Sequence, residues 1–275
     1  MHMRTYPALL GAAGILFLAG CVPSSSAAEA VPTVRQGVGT CHHFMTTEDL
    51  YDPSDVAPPV PCDRPHRTET FQLVTVEGPL ADAPQRPEPE QLQEYMNGRC
   101  SADVLREYLG AGPRDSLAFG IWSKYPTRKE WASGVRTVRC DASPPSLDKK
   151  TGPLVRFPVR DIMQSERSAA VRTCERRGEV VTCDRPHDRE EVNAWLSLDA
   201  GPYSDDGIQA AATRVCQPFV REFLARSHAP GIVIKAETPT EDEWAKGNRT
   251  VKCGVGPADP GATITGTLSS FAEGQ

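Results

Sequence analysis

The pentapeptide Cys62-Asp63-Arg64-Pro65-His66 recurs letter for letter as Cys183-Asp184-Arg185-Pro186-His187. If the repetition extends outward from these two copies, the chain is a duplication of one small unit and not a single large fold. It does extend. PTRKEWASGVRTVRC at residues 126–140 aligns without a gap with PTEDEWAKGNRTVKC at 239–253, and ten of the fifteen positions are identical. Between these landmarks each half carries one further Cys in a helical stretch, followed by Arg106-Glu107-Tyr108-Leu109 or Arg221-Glu222-Phe223-Leu224. The landmarks come in the same order in both halves, which identifies a tandem duplication.

The cysteines are duplicated as well. Of nine Cys, Cys21 stands apart, and the remaining eight form two sets: Cys41, Cys62, Cys100 and Cys140, then Cys174, Cys183, Cys216 and Cys253. An even count in an exported chain implies four disulfides and no free thiol. Four Cys allow three pairings, and spacing alone does not choose among them. The working expectation is first-to-second and third-to-fourth in each half, because Cys174 and Cys183 flank Glu175-Arg176-Arg177-Gly178, a stretch suited to a hairpin turn.

Within a unit, residues 69–76 alternate apolar and polar like a strand. A helix follows. In the second half Ile208, Ala211, Ala212, Val215, Cys216, Phe219, Val220 and Phe223 form one stripe at helical spacing, with Pro218 expected to kink it. Leu92, Tyr95, Met96, Cys100, Val104 and Tyr108 give a weaker stripe in the first half. Two strands come next, at 117–125 and 135–140, with counterparts at 231–235 and 248–253. The expected fold is therefore α+β: two disulfide-stapled units, each a small antiparallel sheet with one packed helix. A unit this small buries a limited apolar core, so disulfides substitute for missing area.

The ends of the chain speak to compartment. Residues 1–20 carry Arg4, an uncharged apolar stretch and Leu18-Ala19-Gly20 before Cys21. This reads as a signal peptide, too short for a membrane span, with a lipobox that makes Cys21 the lipidated first residue of the mature chain. The expected location is the outer face of the cytoplasmic membrane. Residues 21–38 read as a flexible tether reaching roughly 60 Å at full extension. Unit 1 is assigned to 39–143, a linker to 144–168, unit 2 to 169–254 and a disordered tail to 255–275. The formal net charge of −6 provides no basic footprint for nucleic acid.

Several side chains are candidates for chemistry or binding. Cys62/His66 and Cys183/His187 have a zinc-like spacing, but a coordinating Cys must be a thiolate and these are expected to be oxidised, so neither a metal nor another cofactor is assigned. His66 with Glu69, and His187 with Glu190, read either as structural hydrogen-bonding pairs or as a binding surface, the structural role being the commoner one for a packed His. Trp131 and Trp244, in a Glu-Trp-Ala-x-Gly turn, are either buried rings or exposed anchors, and Gly134 and Gly247 are expected at positive φ there. No nucleophile elbow, zinc-protease helix, phosphate loop or dinucleotide fingerprint is present, so no catalytic residue is assigned. A wall-active enzyme is the alternative; Asp63, His66 and Glu69, with their copies Asp184, His187 and Glu190, would then be its acid and base groups.

Taken together, the lipobox and the repeated Cys…Cys-Asp-x-Pro-His-x-x-Glu…Cys…Pro-x-x-x-x-Trp-x-x-Gly-x-Arg-x-Val-x-Cys pattern resemble the septum formation family of exported and membrane-tethered actinobacterial proteins. The resemblance covers residues 39–253 and departs from the pattern in a long insertion between Cys41 and Cys62. It implies a role at the division septum without implying a reaction. The partners expected on this reading are the membrane, through the lipid, and an envelope or septal protein or a wall polymer.

Overall fold

The computed structural model describes residues 37–44, 53–145, 154–224 and 230–269. All of them belong to one compact unit assigned to Thr33–Gln275. The signal peptide, Cys21 and the tether up to residue 36 lie outside the described residues. No helix among the described residues is long and apolar enough to cross a membrane.

The fold is α+β and built twice. In the first repeat β1 (Cys41–His42), β2 (Thr68–Thr75), β3 (Gly120–Lys124) and β4 (Thr137–Ser143) form an antiparallel sheet in the order β1-β2-β4-β3. In the second, β5 (Thr173–Arg176), β6 (Glu179–Thr182), β7 (Arg189–Ser197), β8 (Ile232–Ile234) and β9 (Thr250–Pro257) are ordered β6-β5-β7-β9-β8. The registers coincide: Cys41 faces Glu69 as Cys174 faces Glu190, and Leu73 faces Arg139 as Trp195 faces Lys252. Both central strands carry a bulge, between Thr70 and Gln72 in β2 and between Glu191 and Trp195 in β7, which holds one more residue. The β5–β6 hairpin turns through Arg177 and Gly178, both at positive φ, the geometry a two-residue primed turn demands.

One face of each sheet is packed by helix. In the second repeat α4 (Asp205–Phe223), capped by Ser204, buries Ile208, Ala212, Cys216, Val220 and Phe223 against Val192, Ala194, Val251 and Val255. Each Val, Ile or Phe among them contributes about 1.5–3 kcal/mol when fully buried. Pro218 lies inside α4, which runs on to Phe223. The first repeat differs from the single helix expected. Its stripe is divided into α1 (Pro89–Met96) and α2 (Ala102–Tyr108), because Gly98 takes φ 76° and Ser101 caps a new start. Disulfides Cys100–Cys140 and Cys216–Cys253 tie the helical layer to β4 and β9, while Cys41–Cys62 and Cys174–Cys183 close the other corner.

Two segments assigned by sequence to linker and tail are part of the fold. From residue 154 the linker enters the first core, which buries its Val159, Ile162 and Met163 together with Val171 from the start of the segment assigned to unit 2, and His66 pairs with Val155 through both backbone hydrogen bonds. Correspondingly, residues 255–269 are not a disordered tail. Strand β9 continues to Pro257, and Ile264 pairs with His187 as Val155 does with His66. Each unit thus needs a closing segment that its last Cys does not mark.

The repeats meet at Asp115. It bridges to Val192 at the β7 bulge, and its carboxylate accepts from Arg172 Nη1 at 2.6 Å, Ser269 Oγ at 3.0 Å and Gly112 N at 2.8 Å. Asn193 N donates to Arg114 O, and Arg114 pairs with Glu222 at 2.6 Å. A cleft of about 220 Å³ lies beside this junction, lined by Arg114, Asp115, Gln164, Arg172, Glu222 and Phe223 among others.

Candidate functional site

The duplicated pentapeptide makes a corner whose Asp and Arg face solvent and whose His turns inward. Pro65 and Pro186 direct the chain out of the disulfide and into β2 and β7. His66 and His187 are fully buried. Each sets its Nδ1 at 2.8 Å from the carbonyl two residues back, Arg64 O or Arg185 O, and the Nε2 of each has no hydrogen-bond partner among the described residues. Burial therefore holds both imidazoles below their ordinary value, against the backbone bond and nearby carboxylates that act to raise them.

The two glutamates clamp the closing segments. Glu69 accepts Val159 N at 2.6 Å and the Tyr108 hydroxyl; Glu190 accepts Leu268 N at 2.6 Å and Thr267 Oγ1 at 2.5 Å. Both are about 1% exposed. Burial pushes the Glu190 carboxyl up, opposed by its bonds to Leu268 and Thr267. Ligand-type atoms of Cys41, His66 and Glu69, and of Cys174, Cys183, His187 and Glu190, lie within 4.8 Å of one another. Their sulfurs are in disulfides, so each corner offers a His and a Glu where a structural zinc takes four donors.

The tryptophans are also interior. Thr127-x-x-Glu130 and Thr240-x-x-Glu243 are capping boxes that start short helices α3 (Arg128–Ala132) and α5 (Glu241–Ala245) where the sequence reading placed only a turn. Trp131 is fully buried and Trp244 is 6% exposed. Their indole N–H groups donate to Ala83 O and Gly201 O at 2.9 Å, and Arg136 and Arg249 stack on the rings at 4.0 and 3.8 Å. Gly134 and Gly247, at φ 95° and 92°, close these turns. All six side chains named as binding candidates therefore stand inside the protein, where they hold the fold.

The outer faces of the sheets, away from the helices, differ between the repeats. In the first, residues from the insertion cover it. Asp55 reaches Arg139 Nη2 at 2.6 Å and His42 Nδ1 at 3.2 Å, Phe44 lies over Lys124 at 4.8 Å, and Pro53 O accepts from Tyr125 N at 2.7 Å. Beneath them Arg139 also holds Asp141 at 2.9 Å, and Thr70 and Thr68 donate to that carboxylate. Burial acts to raise the Asp55 carboxyl, but the His42 bond and the Arg139 charge outweigh it and hold it well below the carboxylate range.

The second repeat has no such insertion, and its outer face is exposed. By register Lys252 stands where Arg139 stands, Glu237 where Lys124 does and Trp195 where Leu73 does. Trp195 is 64% exposed, with its indole N–H on Glu191 at 3.3 Å, Lys252 at 5.5 Å from its ring and Glu237 on Lys252 at 2.9 Å. Val180 and Val233 on the same sheet are exposed too. At the other end Arg189 reaches Glu175 at 2.7 Å across the place that Asp141 fills in the first repeat. Gly254 is required there, since a Cβ would come within 2.6 Å of Arg189 Nε. The sequence reading missed this surface. Its signal is the period-two run Ala194, Leu196, Leu198, which turns Trp195 to the opposite face.

A family model described as septum formation matches residues 38–253. No curated protein and no solved structure matches the chain.

Proposed function

The chain belongs to the septum formation family, and from that premise we propose that it is a lipid-anchored, non-enzymatic envelope protein that binds a partner during septum formation or wall assembly. One observation carries the binding role. A large aromatic ring standing exposed on a sheet face is the kind of side chain that soluble domains use for recognition, and Trp195, 64% exposed, is that ring here. The four disulfides support an extracytoplasmic location, and the Cys21 lipobox supports attachment to the outer face of the cytoplasmic membrane.

The alternative, a wall-active enzyme using the His/Glu pairs, has less support. A general acid or base must come within hydrogen-bond reach of its substrate, and His66, Glu69, His187 and Glu190 are sealed behind the closing segments. Gene deletion followed by imaging of septum placement and growth rate tests the proposal. Misplaced or delayed septa are expected. Unchanged septa and growth would remove the division role.

A further inference from the structure

Beyond β2 and β7 the two repeats share a pair of anchors, and the chain between those anchors differs. Val76 N donates to Arg136 O at 2.8 Å and Trp131 Nε1 to Ala83 O at 2.9 Å; Leu198 N donates to Arg249 O and Trp244 Nε1 to Gly201 O, both at 2.9 Å. Six residues, 77–82, join the anchors in the first repeat, and two, 199 and 200, join them in the second. The longer segment turns at Gly78–Leu80, packs Leu80 and Ala81 against the first core and presents Ala81 O to Arg136 Nε at 2.7 Å. Tyr95 closes the same corner, its hydroxyl accepting from Glu77 N at 3.0 Å.

In the second repeat Ala211 stands seven residues after the N-cap Ser204, as Tyr95 does after Glu88, so a methyl replaces the ring. With the shorter connection, a cleft of about 270 Å³ opens there, lined by Leu198, Pro202, Ile208, Ala211, Val215 and Trp244 among others. An apolar cavity of roughly 150 Å³ already admits a benzene ring, so a leucine side chain has room. Arg249 repeats the other contacts of Arg136: it stacks on Trp244 at 3.8 Å and donates Nη1 to Trp244 O at 2.6 Å. Its buried Nε, however, has no hydrogen-bond partner among the described residues. A buried N–H without an acceptor costs about 1–3 kcal/mol. The cleft is therefore short of an apolar side chain and one carbonyl, the two groups that Leu80 and Ala81 supply in the first repeat.

We infer that this cleft binds a turn of a partner protein, which inserts a leucine-sized aliphatic side chain and presents the next backbone carbonyl to Arg249 Nε, as Leu80 and Ala81 do within the first repeat. A Gly-Pro turn suits the task because proline fixes φ before binding, which lowers the ordering cost. The site goes beyond the role given to Trp195, which points to the face away from α4, and its test uses neither Trp195 nor a division phenotype.

The probe is a capped peptide with the sequence of residues 78–81, Gly-Pro-Leu-Ala, beside a control with Leu80→Asp and decanoate as an apolar ligand without a turn. Titrations of the disulfide-bonded full-length protein are read by nuclear magnetic resonance at the Trp244 indole N–H and the Arg249 Nε–H. Millimolar leucine peptide is expected to shift both signals, and the aspartate peptide to bind at least tenfold more weakly. Ala211→Tyr, which restores the ring of the first repeat, should weaken the leucine peptide at least tenfold, and Val215→Arg is a second blocking variant. Both positions are partly buried, and intact disulfides with an unchanged melting temperature would show that the variants fold. No shift at Arg249 Nε–H, equal binding of the two peptides, binding indifferent to both substitutions, or binding of decanoate alone would overturn the inference.

Discussion

Arg139 on β4 and Lys252 on β9 occupy the same position in the two repeats, yet Arg139 is fully buried under Asp55 while Lys252 lies at the surface beside Trp195. The difference traces to the residues between Cys41 and Cys62, which are separated by 21 positions where Cys174 and Cys183 are separated by nine. Among the described residues, one sheet carries its own cover and the other does not.

That asymmetry predicts unequal costs for removing the two anions. Asp55→Ala leaves the buried Arg139 guanidinium with Asp141 as its remaining anion and should cost about 1–3 kcal/mol, the penalty of an unsatisfied buried donor. Glu237→Ala breaks an exposed pair and should cost under about 1 kcal/mol. Urea unfolding of each variant checks the contrast.

The glutamate clamps predict local release. Glu190→Ala removes the acceptor for Leu268 N and Thr267 Oγ1, and leaving such donors unsatisfied costs about 1–3 kcal/mol. Hydrogen exchange should show faster exchange at Leu268, with the β7 and β9 amides changed less. Uniform loss of protection across the second repeat would contradict a clamp acting on its closing segment.

The buried imidazoles predict acid sensitivity. His66 and His187 titrate below the ordinary 6.5 because burial disfavours their charged forms. The unfolded chain therefore takes up protons first, and stability is lost as pH falls through 6.5 toward the folded values. Glu190 acts oppositely: its raised folded value makes it stabilise as pH falls through that value. The two effects separate in a His66→Gln, His187→Gln variant, whose urea midpoint should fall less than wild type between pH 7.5 and 5.5.

Disulfide removal should scale with loop length. The chain-entropy relation gives about 2.5 kcal/mol for the Cys174–Cys183 loop and about 4 kcal/mol for the Cys100–Cys140 loop. Paired Cys→Ala variants melted side by side test the order.

Much of this architecture was legible in the residues. The repeated pentapeptide and the Trp-to-Cys block place two copies of one α+β unit, and the Glu175-to-Gly178 turn points to the Cys174–Cys183 pairing that the structure contains. Local chemistry marked these features. What it did not mark depends on contacts across the chain. Val155 and Ile264 resemble linker and tail until His66 and His187 offer them backbone partners. The His, Glu and Trp candidates are sequence-conspicuous because the fold needs them twice, whereas Trp195 occurs once and is conspicuous only when its neighbours' period of two is read. The Thr127 and Thr240 capping boxes start short helices where the Glu-Trp-Ala-x-Gly stretch alone reads as a turn.

The most direct test of the account is septum placement in cells whose only copy of the protein carries Trp195→Ala, compared at equal protein level with wild type and with the deletion. The account predicts that Trp195→Ala reproduces the deletion's septum defect while the protein remains folded and at the envelope. Wild-type septa in the Trp195→Ala cells, beside defective septa in the deletion, would show that the exposed sheet face is not where this protein does its work.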